Sequence, residues 1–165
     1  MGLIIIMHNL KTSARVSVIA VLLASIMLLF TGCSKTAATT DSFKAVATEK
    51  NMEIADVIEQ FSSYDYVKEA TIAAPADRTY QIEFFVLSDA SYARSFFDAN
   101  KAKFELTKGS SFTEKSKDGK NFTTYTLTAN DRYMFLEQVD STVLYVDVEV
   151  SCKDAIEDFI KKLKY

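Results

Sequence analysis

The hydrophobic pattern changes period once along the chain. After Asp41 the apolar residues Phe43, Val46 and Ala47 recur at helical spacing, whereas from Val67 onward apolar and polar residues alternate as they do in strands. Asp41 is placed to cap a first helix over 42–50, and Asn51 to end it in a left-handed conformation after Glu49-Lys50. The helical period also runs on through Ile54, Val57, Ile58 and Phe61, so one long helix is the alternative; it would put Lys50 in the apolar stripe, which favours the shorter helix. Val67 to Ala73, a turn at Pro75-Ala76-Asp77, and Tyr80, Ile82, Phe84 and Val86 alternating with Gln81 and Glu83 predict a hairpin with one buried face. Ser88 then caps a second helix reaching about Phe104, with Tyr92, Ala93, Phe96, Phe97 and Ala99 on one side.

Four more strands follow Gly109, at 111–117, 120–128, 132–139 and 142–150, separated by Asp118-Gly119, Asn130-Asp131 and Asp140-Ser141. In the last of them Leu144, Val146, Val148 and Val150 face the core, and Tyr145, Asp147 and Glu149 face out. Ser151 opens a final helix with Ala155, Ile156, Phe159, Ile160 and Leu163 on its apolar face and Lys161, Lys162 and Lys164 near its C-terminus. One common offset matches Ser88 with Ser151, Phe96 with Phe159 and Phe97 with Ile160, a faint sign of a duplicated strand-then-helix unit. The expected fold is α+β, in the order α-ββ-α-ββββ-α. Its antiparallel sheet has about six strands, a hairpin plus a four-stranded meander, with the helices packed on one face.

Ahead of this domain lies an uncharged run, Val16 to Phe30, preceded by Lys11 and Arg15 and followed by Thr31, Gly32 and Cys33. It is short of the roughly 20 residues a spanning helix needs, and its three-part layout is that of a secretory signal. Leu29-Phe30-Thr31-Gly32-Cys33 resembles the lipobox of bacterial lipoproteins, with Phe30 where that class usually has Leu. The resemblance implies cleavage before Cys33, a diacylglycerol on Cys33, and a location on the outer face of the cytoplasmic membrane. The domains expected are then a signal at 1–32, a lipidated cysteine and short tether at 33–40, and one globular domain at 41–165. Ser34 to Thr40 extends at most about 25 Å, so the domain stays close to the bilayer. The apolar Gly2 to Ile6 precede the basic residues, so Met7 reads as the true start.

Cleavage removes Lys11 and Arg15 and no acidic residue, which takes the net charge from −3 to −5 and argues against nucleic acid as a partner. It also removes His8, the only histidine. Histidine-based triads and histidine-ligated zinc are thereby excluded from the mature chain. Gly109 and Gly119 stand in no phosphate-binding pattern, and no serine precedes a lysine by three residues.

The remaining candidates are weighed against plainer roles. Cys152, without a cysteine partner if Cys33 is acylated, falls in the first turn of the last helix; a packing role is favoured over a reactive one. Asp147 and Glu149, with Glu137 and Asp140 nearby, offer oxygen ligands for a hard cation, or simply a solvated strand face. Ser110 and Ser111 beside Lys108 read as loop residues. Tyr80, Phe84, Phe85, Phe112, Phe122, Tyr125, Tyr133, Phe135 and Tyr145 exceed what one sheet face needs; they fill the core or form a face that binds a peptide, a glycan or a protein. The sequence thus leads to a lipid-anchored binding or envelope-interaction protein without enzymatic activity or cofactor. The alternative is a small envelope hydrolase using carboxylates or a Ser and Lys pair.

Overall fold

Thr39, not Asp41, starts the first helix. A computed structural model describes residues 33–165, so the expected signal and the start at Met7 lie outside the described residues. Helix α1 spans Thr40–Glu49. Thr39 Oγ1 accepts from the Ser42 amide at 3.1 Å, and Ser42 Oγ accepts from the Thr39 amide at 2.9 Å. This reciprocal box satisfies two free amide donors, and Asp41 is left in the first turn, where its charge suits the helix dipole. Asn51, at φ 54°, ends the helix as expected.

The chain then enters a strand the sequence did not announce. β1, Glu53–Asp56, is exposed throughout and pairs antiparallel with β2, Val67–Ala74, so that the sheet has seven strands and not six. A single 3-10 turn, Ile58–Phe61, accounts for the helical spacing that runs on beyond α1. β3, Ile82–Leu87, completes the predicted hairpin. Helix α2, Ala90–Leu106, is capped by Asp89, whose Oδ1 accepts from the Ser91 and Tyr92 amides at 2.8 and 3.0 Å. Ser88, the expected cap, instead donates to the Tyr66 carbonyl at 3.1 Å.

The meander consists of β4 Phe112–Asp118, β5 Phe122–Ala129, β6 Arg132–Val139 and β7 Thr142–Glu149. Asn130 and Asp131 both have positive φ, 50° and 60°, the geometry that fits a two-residue turn to the twist of the strands it joins. Val150 does not continue β7 into the core: it opens a 3-10 turn, Val150–Cys152, and is 41% exposed. Helix α3 follows at Lys153–Leu163, so Ser151 is not its cap.

The strand order is β1-β2-β3-β7-β6-β5-β4, with β3 hydrogen-bonded antiparallel to β7. The chain leaves the sheet centre after β3, crosses over as α2, and builds the meander back from the far edge. The helices are not on one face, as expected, but on both. On the first face α1 and α3 pack Phe43, Ala47, Ile156, Phe159 and Leu163 against Ile82, Phe84, Leu144, Val146 and Val148. On the second face α2 packs Ala93, Phe97 and Phe104 against Phe85, Tyr125, Leu127, Leu136 and Val143. The reason lies in the central strands. All of β6 after Arg132 is buried, and β7 is buried or half-buried from Thr142 to Val148, so neither has a side free for water. The two units matched by the common offset therefore have their strands, β3 and β7, side by side in the sheet and their helices on opposite faces of it.

Ser34 to Thr40, expected as a tether, lies along the first face. Asn121 grips the Lys35 backbone in both directions: its Oδ1 accepts from the Lys35 amide at 3.0 Å, and its Nδ2 donates to the Lys35 carbonyl at 2.9 Å. Lys35 Nζ meets the buried Glu137, which also accepts from Thr124 Oγ1 at 2.7 Å, and Ala37 and Ala38 pack on the core. No helix among the described residues is long and apolar enough to cross a membrane.

Candidate binding cleft

The residues singled out in the sequence do not assemble into one site. Cys33 is exposed. Cys152 is half-buried against the first-face core, with Ser151 Oγ at 3.9 Å from its sulfur. Asp147 is taken by Arg132, whose Nε and Nη2 donate to its Oδ1 at 2.9 and 2.7 Å. Glu149 and Asp140 are exposed, and the pairing of Glu137 with Leu144 turns Glu137 to the first face, opposite to Asp147. Among the described residues no three Cys, His, Asp or Glu side chains are grouped so as to hold a metal ion. Ser110 and Ser111 are exposed in the loop before β4.

The aromatic residues divide. Phe84, Phe122, Tyr133 and Phe135 are buried in the first-face core, and Phe85 and Tyr125 in the second. Phe112 is 46% exposed at the sheet edge, and Tyr80 is half-buried. Tyr145, half-buried beside Phe104, opens with Phe85 into a cleft of about 580 Å³ on the second face.

That cleft exists because α2 does not cover the whole face. The helix lies over the meander, the 3-10 turn lies over β2, and between them Glu83, the buried Phe85 and Tyr145 of β3 and β7 form a floor. One wall is α2, with Tyr92, Phe96, Asn100 and Lys103; the other is Phe61, Tyr64 and Tyr66. The rings brace one another. Phe85 packs edge-on to Phe61 at 5.3 Å between centroids and against Phe96 at 4.8 Å. Tyr66 and Tyr92 stack in parallel at 5.1 Å, tying the two walls together, and Tyr64 meets Tyr66 edge-on at 5.7 Å. Such pairs contribute about 0.5–1.5 kcal/mol each beyond the area they bury, so the walls are set before anything enters. Tyr64 and Tyr92 nevertheless remain half-exposed at the mouth.

Besides the phenol hydroxyls, the cleft is lined by Glu83, Ser95, Asn100 and Lys103. Asn100 is buried; its Nδ2 donates to the Phe96 carbonyl at 2.8 Å, and its Oδ1 accepts from Lys103 Nζ at 3.2 Å. Glu83 Oε1 accepts from Gln81 Nε2 at 2.8 Å. Burial pushes the Glu83 carboxyl above its ordinary value; the Gln81 hydrogen bond opposes this, and the Asp147 charge adds to it. Burial, then Asp147 and Glu83, pushes the Tyr145 phenol up to about 12. An apolar concavity with a few converging polar groups is the usual form of a small-molecule site.

The sequence points to Phe85 and Tyr145 among the aromatic candidates and puts Tyr92 and Phe96 on the packing side of the second helix; Phe61 is helical only in the longer alternative to the first helix, and Tyr64 and Tyr66 fall in no expected element. One signal was available. Phe61-Ser-Ser-Tyr64-Asp-Tyr66 sets three large rings in a polar stretch before a strand, where neither helix nor strand period gives Tyr64 and Tyr66 a buried place.

No family model matches the chain, and no curated protein matches it. Among solved structures, a GTP binding regulator from Thermotoga maritima is similar over 81% of this chain and 91% of that chain, with 13% sequence identity and a TM-score of 0.46. A likeness so distant carries nothing about the cleft.

Proposed function

We propose that this chain is a lipid-anchored ligand-binding protein of the outer face of a bacterial cytoplasmic membrane, and that its ligand occupies the aromatic cleft without being chemically changed. The cleft carries the reading: seven rings from four parts of the chain, residues 61–66, β3, α2 and β7, converge on a preformed opening. The anchor rests on the run Val16 to Phe30 and on Leu29-Phe30-Thr31-Gly32-Cys33. In this reading Lys35, gripped by Asn121 two residues after the lipid, holds the turns at Gly119–Asn121 and Asp140 toward the bilayer.

Two measurements test it. Cells fed a clickable palmitate analogue are expected to label the wild-type protein in the membrane fraction and not C33S; equal labelling of both rejects the anchor. For the cleft, residues 34–165, which pack as one unit, are titrated with small amines, sugars and peptides by tyrosine fluorescence, which no tryptophan masks. A specific ligand shifts the emission and raises the melting temperature through preferential binding to the folded state. Y92A, at the exposed mouth, is expected to lose the shift while staying folded; if Y92A binds as wild type does, the ligand lies elsewhere.

A further inference from the structure

Glu83 is the carboxylate that the fold leaves without a cation. Among the described residues three acidic side chains are withdrawn from water, Glu83, Glu137 and Asp147. Glu137 is paired with Lys35 and Asp147 with Arg132, whereas Glu83 has only the amide of Gln81 and no ion pair. Every other Asp and Glu is exposed. Withdrawing a carboxylate from water is costly unless a positive charge comes with it. Here the rings of Phe61, Tyr66, Phe85, Phe96 and Tyr145 surround the same opening, and ring faces attract cations.

We propose that the cleft binds a small organic cation, an alkylated or quaternary ammonium group, seated between these rings with its charge toward Glu83. The assignment rests on the cleft being the ligand site. The charged groups facing Glu83 agree with it. Asp147, on the neighbouring strand, adds negative potential although Arg132 holds it, and the phenol of Tyr145 is pushed up to about 12 and so is neutral. The one cation lining the cleft, Lys103, is exposed at the rim and held by Asn100.

The test compares tetramethylammonium and choline with 3,3-dimethyl-1-butanol, which has the shape of choline without its charge. Titrations of residues 34–165 are followed by tyrosine fluorescence and melting temperature. The cations are expected to bind at least about tenfold more tightly than the neutral isostere, as one or two partly desolvated cation–π contacts provide. E83Q is expected to remove most of that preference while the protein stays folded, and lowering the pH until Glu83 is protonated is expected to do the same in the wild type. The proposal is overturned if the isostere binds as tightly as choline, or if E83Q leaves the preference unchanged. If a sugar or an anionic peptide binds in the cleft and the cations do not, the proposal falls and the cleft reading stands. If none of these probes perturbs the cleft tyrosines, both fall.

Discussion

The two faces of the sheet use the same kind of residue to opposite ends. On the first face Phe43 is stacked on Phe84 at 5.3 Å and set edge-on to Phe159 at 5.4 Å, and all three are fully buried. On the second, Phe61, Phe96, Tyr66 and Tyr92 are locked to one another just as closely, yet none is buried. The difference lies in what covers them. Two helices lie across the first face and are joined by the Lys50–Asp158 and Glu49–Lys162 ion pairs; one helix and a 3-10 turn share the second. Ring packing therefore holds the molecule together on one side and holds an opening on the other.

The largest contrast is expected from cutting one ring on each side. F159A should destabilise the protein by about 3–5 kcal/mol, the usual cost of emptying a Phe site in a closed core. F96A should cost about 1–2 kcal/mol, because its half-buried ring gives up less area and water can fill the space. Urea denaturation measures both. Equal losses would mean that the second-face rings are core as well, and that the opening is incidental.

Next in size is the charge on the first face. Glu137 is 1% exposed, and Lys35, which neutralises it, comes from the segment just after Cys33. K35M should cost about 2 kcal/mol, less than a fully buried pair because Lys35 is partly exposed. K35M/E137Q should recover most of it, since a neutral amide tolerates burial better. A double variant as unstable as K35M alone would show that Lys35 matters for its backbone grip by Asn121 and not for its charge.

These expectations also mark what was legible in the sequence. The hairpin and the meander were, because alternation and turn residues such as Asn130-Asp131 are local signals. The stop at Asn51 was legible for the same reason. The helix starts differ from expectation by one or two residues, because Thr39 and Asp89 compete with neighbouring cap formers and only backbone geometry decides between them. β1 was not legible: four exposed residues show no period, and the strand exists through its partner β2. Nor was the second face, although Tyr-Met-Phe-Leu in β6, apolar at successive positions, signals a strand buried on both sides. The cleft followed that error, since rings assigned to packing under helices on a single face leave nothing to form an opening on the other.

A smaller effect with a definite sign is expected at Glu83. Burial raises its pKa in the folded state, so its contribution favours folding at low pH and is lost as pH rises from the ordinary carboxylate value through the raised one. Gln undergoes no such loss. E83Q should match the wild type in melting temperature in acid and exceed it at neutral pH, gaining stability while the cation preference disappears. A lower melting temperature for E83Q at neutral pH would mean that the carboxylate is already paired.

The smallest effect sets two tyrosines against each other. Tyr133 on the first face and Tyr145 on the second are both pushed up to about 12, mainly by burial, but their charged neighbours differ. Glu157 raises Tyr133, and Asp147 and Glu83 raise Tyr145. In an alkaline ultraviolet titration both phenols should ionise late and weaken the fold as pH climbs from 10 toward 12, because the folded state resists a proton loss that the unfolded chain accepts at its ordinary value. E83Q should bring Tyr145 down by a fraction of a unit and leave Tyr133 in place. A bound ammonium should lower Tyr145 in the same direction by stabilising the phenolate, again without moving Tyr133. If both tyrosines shift together, the change has spread through the sheet; if Tyr145 alone moves, the two faces are electrostatically separate and the charge has entered on the open one.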